Sequence, residues 1–234
     1  MPKLLAFDTS TDQLSVGVRH GDAVWSRQAP GGAQASSTLI PLVQELLAEA
    51  GLALRGLDAV CFGRGPGSFT GLRTACSVAQ GLAYGAGLPV LPVDTLHAVA
   101  EEARLLGGAT RIVAVLDARM DEVYAAAFAF DGTPHPLGDG AAEARLMAPE
   151  DVVVPPGWTL AGNAFAAYGD RLPAGAPRQE ALPTAAAMLR LAPGLLAAGA
   201  AVPADRAWPL YVRDKVAQTT AERAAAKQAQ TVRP

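Results

Sequence analysis

An α/β fold built as two related halves, each a mixed sheet flanked by helices, is what this sequence predicts, and three observations carry it. Short apolar runs alternate with segments whose apolar residues recur every three or four positions, the pattern of strands interleaved with amphipathic helices. Gly107-Gly108 breaks the chain near its middle. Beyond that break the opening order of strand, acidic turn and strand begins again. With 234 residues, half of them apolar, the chain can bury one large core or two smaller ones.

Residues 3–8 form a short apolar run closed by a polar turn, and 14–19 and 23–27 alternate as strands joined near His20-Gly21-Asp22. Ser36, Ser37 or Thr38 can cap a helix in which Leu39, Leu42, Val43, Leu46 and Leu47 share a face before Gly51 ends it. A buried strand is expected over 57–62, a glycine-rich loop over 63–71, a helix over 70–84, a strand over 88–93 and a helix over 94–104. After the break, 111–116 and 122–130 read as strands, with a turn at Asp131-Gly132. Residues 132–178 are dense in Gly, Pro and Ala, and one strand is expected there, over 158–161. A helix follows over 184–198, and the alanine-rich stretch 221–230 is expected to form a polar terminal helix. The division this suggests is 1–106, 107–213 and a helical tail over 214–234.

The totals exclude several function classes. A formal charge of −3, from 22 acidic and 19 basic residues, offers no net attraction to a nucleic acid backbone. Lys3, Lys215 and Lys227 are the only lysines, so anion contacts fall to arginine or backbone amides. Cys61 and Cys76 lie in apolar segments without CxxC spacing and are expected in the core. The start, MPKLLAFDTST, has no export pattern, and 181–202 is broken by Pro183, Arg190 and Pro193. A cytoplasmic protein without a membrane span is expected.

Two segments could carry chemistry. DTSTD at 8–12 delivers Asp8, Thr9 and Ser10 into a turn that could hold phosphate or a magnesium shell, or could be an ordinary hairpin turn. In GRGPGSFTGLR, 63–73, Gly63, Gly65, Gly67 and Gly71 lead into a helix whose first amides Ser68 or Thr70 could cap. Such a start can receive an anion, or its glycines can simply permit close packing. A P-loop is excluded because Gly71 is followed by Leu72 and Arg73, and a dinucleotide fingerprint because Thr70 stands where its third glycine belongs. Arg119, Asp121 and Glu122 suit a charged strand-to-strand turn better than a catalytic set.

GRGPGSFTGLR resembles the signature of the TsaB family, also called YeaZ. LLAFDTST at 4–11, DARMDEVY at 117–124, Leu160-Ala161-Gly162-Asn163 and PLYVRD at 209–214 agree with it in the same order. The resemblance implies the two-domain, actin-like (ASKHA) fold shared with acetate and sugar kinases and Hsp70. It implies a non-catalytic subunit that supports TsaD, which transfers threonylcarbamoyl to a tRNA adenosine beside the anticodon, with the ATPase TsaE completing the set. TsaD-like proteins carry two metal-binding histidines four residues apart. Here Val93 and Glu101 flank His97 at that spacing, so the pair is missing and His97 reads as a packing or surface residue. No HExxH is present, so no zinc peptidase chemistry is expected. Asp8 matches the phosphate position of actin-like ATPases, while the region of Gly162-Asn163 is a poor adenosine loop. A degraded nucleotide site is therefore implied, with Asp8, Thr9, Ser10, Gly65, Gly67, Ser68 and Thr70 as a vestigial phosphate set and ATP or ADP held only within the assembly.

The family's partner interface is implied to be the two helices bearing Leu39, Leu42, Val43 and Leu46, and Leu72, Ala75, Val78, Ala79 and Leu82, in a bundle with TsaD or with a second copy. From the residues alone an ordinary core position is the favoured reading of each, and only the resemblance reverses it for the pair of helices. The expected associations are with TsaD, with TsaE through that assembly, as a homodimer when alone, and with tRNA indirectly. Two competing readings stand beside this one. One is an ATPase or phosphotransferase using Asp8 and Asp117 with magnesium; the other is a tRNA-binding module using Arg213 and Arg223.

Overall fold

In a computed structural model of the chain, residues 1–130 and 143–213 are described. The turn at Asp131-Gly132 and the tail over 214–234, with Arg223, lie outside them. Strand β1 (Leu4–Asp8) is buried at every residue and forms the middle of a five-stranded sheet. On one side it pairs antiparallel with β2 (Gln13–His20), which pairs with β3 (Ala23–Pro30). On the other it pairs parallel with β4 (Ala59–Gly65), followed by β5 (Val90–Asp94). The second sheet repeats this plan. Its middle strand β6 (Arg111–Arg119) pairs antiparallel with β7 (Glu122–Ala129), which pairs with β8 (Arg145–Met147). Strands β9 (Thr159–Gly162) and β10 (Arg178–Glu180) continue in parallel on the other side. The repeat suspected from element order is therefore a repeat of sheet topology, and the fold is the two-domain α/β class expected.

Helices α1 (Ala35–Glu49) and α2 (Phe69–Ala86) cover the outer face of the first sheet, where Leu39, Val43, Leu46, Ala75 and Ala79 meet Leu5, Phe7, Val16 and Phe62. None of Ser36, Ser37 and Thr38 caps α1, because the helix already begins at Ala35, ahead of the hydroxyl run. Gln34 is its N-cap, and the Ser37 hydroxyl donates back to the Gln34 carbonyl. Gly51, at φ +64°, ends it as expected.

After the one-turn helix α4 (Phe165–Tyr168) comes α5 (Ala185–Ala197), which lies with α3 (Thr95–Gly107) between the sheets, and α3 and α5 each pack across from the sheet they follow in sequence. Helix α3 places Leu96, Val99 and Ala103 on Ile112, Leu116 and Phe128 of the second sheet. Helix α5 places Ala185, Met188 and Leu189 on Leu4, Ala6 and Cys61 of the first. The two helices are joined by ions. Glu101, fully buried, accepts from Arg104 and Arg190, while Arg190 and the Thr184 hydroxyl both donate to Glu102. Burial raises the Glu101 carboxyl, but the bonds from the two guanidinium groups outweigh it and hold the group below its ordinary value. No helix among the described residues is long and apolar enough to cross a membrane.

Candidate functional site

The first half supplies two loops that close on each other. Asp8 ends β1 fully buried, and its Oδ1 accepts from the Ser10 amide at 2.8 Å and the Ser10 hydroxyl at 2.6 Å. The glycine-rich loop lies directly over this turn. A β-carbon at Gly63 would stand 1.7 Å from Asp8 Oδ2, one at Gly71 1.8 Å from the Thr9 carbonyl, and one at Gly67 2.6 Å from Ser10. The Thr9 hydroxyl donates to the Gly71 carbonyl and the Ser68 amide to the Ser10 carbonyl. These glycines therefore serve close packing between two loops. Among the described residues no cation faces the Asp8 carboxylate, and burial pushes its pKa up to about 6 against the pull of its bonds from Ser10 and Thr95.

A cleft of about 990 Å³ separates these loops from the second half. Of the expected phosphate set, Ser10, Gly67 and Ser68 line it, whereas Asp8, Thr9, Gly65 and Thr70 do not. Asp8 and Thr9 are turned into the protein and do not face the cleft. Ser68 holds the N-cap position of α2, but its side chain makes no capping bond.

The far wall is the β6–β7 turn, where Arg119, Met120 and Asp121 take left-handed φ angles of 60°, 58° and 61°. For residues with a β-carbon each costs roughly 1 kcal/mol or more. Bonds on both sides hold the turn. Asp117 accepts from the Arg119 amide and the Tyr168 hydroxyl, and Arg213 donates to the carbonyls of Ala118 and Arg119 and pairs with Glu122. Arg119 also reaches across the cleft to Asp12 at 3.0 Å, an exposed pair worth little in water.

One end of the cleft is spanned by the segment 207–213. The Ala207 carbonyl accepts from Cys76 and Gln80 of α2, the Leu210 amide donates to the Arg64 carbonyl, and Arg213 reaches the turn. Tyr211 packs against Phe69 with ring centroids 5.5 Å apart and the ring planes tilted by 41°, and its hydroxyl accepts from Arg73 Nε, whose guanidinium lies 3.9 Å over the Phe69 ring. Sequence reasoning missed this trio. Phe69 and Tyr211 both stand inside recognised segments, but nothing in their spacing joins positions so far apart.

The residues expected to contact a partner divide by their burial in the isolated chain. Leu39, Val43, Leu46, Leu72, Ala75 and Ala79 are buried in the chain's own core, and Leu42, Val78 and Leu82 are half-buried against it. The periodicity that identified them marks the face each helix turns to its sheet. The outward face of α2 carries Arg73, Ser77, Gly81, Tyr84 and Gly85, with Tyr84 82% exposed. A β-carbon at Gly81 or Gly85 would have nothing within 4 Å. His97 is a packing residue, buried and stacked on Phe128 at 5.0 Å. Glu101, its neighbour one turn on, is fully engaged by guanidinium groups, and no group of three metal-ligating side chains occurs among the described residues.

Comparison with known proteins agrees with this architecture. Residues 32–221 match a family model described as "TsaD: tRNA N6-adenosine threonylcarbamoyltransferase". The chain is 34% identical over 224 residues to the tRNA threonylcarbamoyladenosine biosynthesis protein TsaB of Escherichia coli (strain K12), covering 92% of this chain and 96% of that protein. It is 48% identical over 124 residues to TsaB of Haemophilus influenzae, about half of each chain. The solved structure of YeaZ from Pseudomonas aeruginosa, 39% identical, superposes with a TM-score of 0.83 over 90% of this chain and all of that one.

Proposed function

The chain belongs to the TsaB family of tRNA threonylcarbamoyladenosine biosynthesis proteins, and we propose that it serves that pathway as a non-catalytic subunit that docks on TsaD and keeps it productive. The observation that carries this reading is the outward face of α2. Glycine inside a helix costs about 1 kcal/mol relative to alanine, and the neighbourhoods of Gly81 and Gly85 contain nothing that would forbid a side chain. An exposed helix with two such glycines beside Ser77 and a projecting tyrosine suits the close approach of a helix from another subunit. In the absence of TsaD the same face would join two copies of this chain.

A catalytic reading is disfavoured by the burial of Asp8. A phosphotransferase would need that carboxylate against magnesium or phosphate, and here it is bonded to Ser10 and covered by Gly63. ATP or ADP would then be held only within the assembly, TsaE would be reached through TsaD, and tRNA contact would be indirect.

Gly81→Leu separates docking from folding. The substitution fills open space on a helix, so stability should rise by roughly 0.5–1 kcal/mol, while docking on TsaD and self-association should both be lost. Calorimetric titration with TsaD and light scattering of the isolated chain would measure this. A stable Gly81→Leu protein that docks like the wild type would refute the interface.

A further inference from the structure

We propose that Arg73 is the charged anchor of this docking face and takes a carboxylate side chain from the protein that docks on α2; the inference rests on the docking reading above. Three arginines line the cleft. Arg119 is paired with Asp12 and Asp117, and Arg213 with Glu122. Arg73 meets no carboxylate among the described residues. Its guanidinium is nonetheless held in place, with the Phe69 ring beneath it and Nε committed to the Tyr211 hydroxyl at 3.1 Å. The remaining N–H groups have no partner among the described residues, and they form the fork that a carboxylate accepts from in two parallel bonds.

Position and preorganisation support the same conclusion. Helical geometry puts Arg73 and Tyr84 almost in line along α2, with Ser77 between them and Gly81 beside the row. A partner helix seated on the small residues therefore passes the guanidinium. Holding a long side chain in place before docking removes much of the ordering cost that an exposed arginine ordinarily incurs on binding. The anchor is composite, because Tyr211 arrives on the 207–213 segment, fastened to α2 where Cys76 and Gln80 bond the Ala207 carbonyl. Of the three arginines that line the cleft only Arg73 lacks a carboxylate among the described residues, and in a chain of net charge −3 one such cation suits one carboxylate better than the repeated phosphates of an RNA strand.

The test is titration of the full chain with TsaD at low and at raised salt. Arg73→Ala should weaken docking by roughly tenfold to a hundredfold and flatten its salt dependence. Arg73→Lys should not restore it, because an ammonium cannot cover Phe69 while offering a planar fork. Tyr211→Phe, which removes only the hydroxyl acceptor, should weaken docking several-fold. Affinity of Arg73→Ala within twofold of wild type, with Gly81→Leu unable to dock, would overturn the anchor and leave the docking face standing. Wild-type docking by Gly81→Leu would remove the face, and the anchor with it. Unchanged TsaD affinity with loss of tRNA binding by the assembled complex would assign the guanidinium to RNA phosphate and overturn the carboxylate.

Discussion

Asp8→Asn is expected to stabilise the protein at neutral pH, by a margin that shrinks as the medium becomes acidic. The native carboxyl keeps its proton up to about pH 6, and an unfolded one only to its ordinary 3.8. Within that window the native state binds more protons than the unfolded state, so stability falls as pH rises through it and the loss is complete above about 6. At about 1.4 kcal/mol per pKa unit, the penalty above pH 6 is on the order of 3 kcal/mol. Burial is complete, so water does not screen it. Asparagine keeps the two bonds accepted from Ser10, and its amide faces the Thr95 hydroxyl, which lies 3.5 Å from Asp8 Oδ2. For a chain of this size 1 kcal/mol moves Tm by about 2–4 °C, so the variant should melt roughly 6–12 °C above wild type at pH 7.5. The two proteins should converge near pH 4. Melting curves across this range read the difference directly, and a gap that stays constant from pH 4.5 to 7.5 would refute the reasoning.

Arg190→Met should cost about 2–3 kcal/mol in urea unfolding, because it leaves the buried Glu101 with Arg104 alone and Glu102 with only the Thr184 hydroxyl. Since the Glu101 carboxyl is held below its ordinary 4.5, the wild-type margin is present above that value and fades as pH falls toward the lowered native one, which the variant should do less steeply. Met120→Gly should raise the melting temperature by about 2–4 °C, since φ of 58° is strained for methionine and easy for glycine. Unchanged melting would show that the lost methionine contacts offset the relieved turn.

Periodic segments were legible in the sequence. β1 to β3, α1, α2 and α5 stand close to where their apolar spacing put them, because in each the spacing reports one buried face. The three-residue strands β8 and β10 were missed, since so short a stretch has no alternation to read. The glycine loop and the polar turn after β1 were each found, but their contact was not, because a close backbone approach leaves glycine in one segment and no mark in the other. The same limit explains the helical faces. Leu39 and Ala75 are apolar for the benefit of their own sheet, and the outward row of Ser77, Gly81 and Tyr84 has too little hydrophobicity to stand out in a pattern of apolar residues.

The crossing of α3 and α5 ties the two ends of the chain together during synthesis. The inner side of the first sheet, with Leu4, Ala6, Ala59 and Cys61, has only Ala98 of α3 against it until Ala185 to Leu191 have left the ribosome. A fragment ending at the Gly107-Gly108 break would carry α3 without the sheet it covers and a sheet without the helix that covers it, and would be prone to aggregate. Cutting where the sequence bends is therefore expected to yield neither half as an autonomous unit.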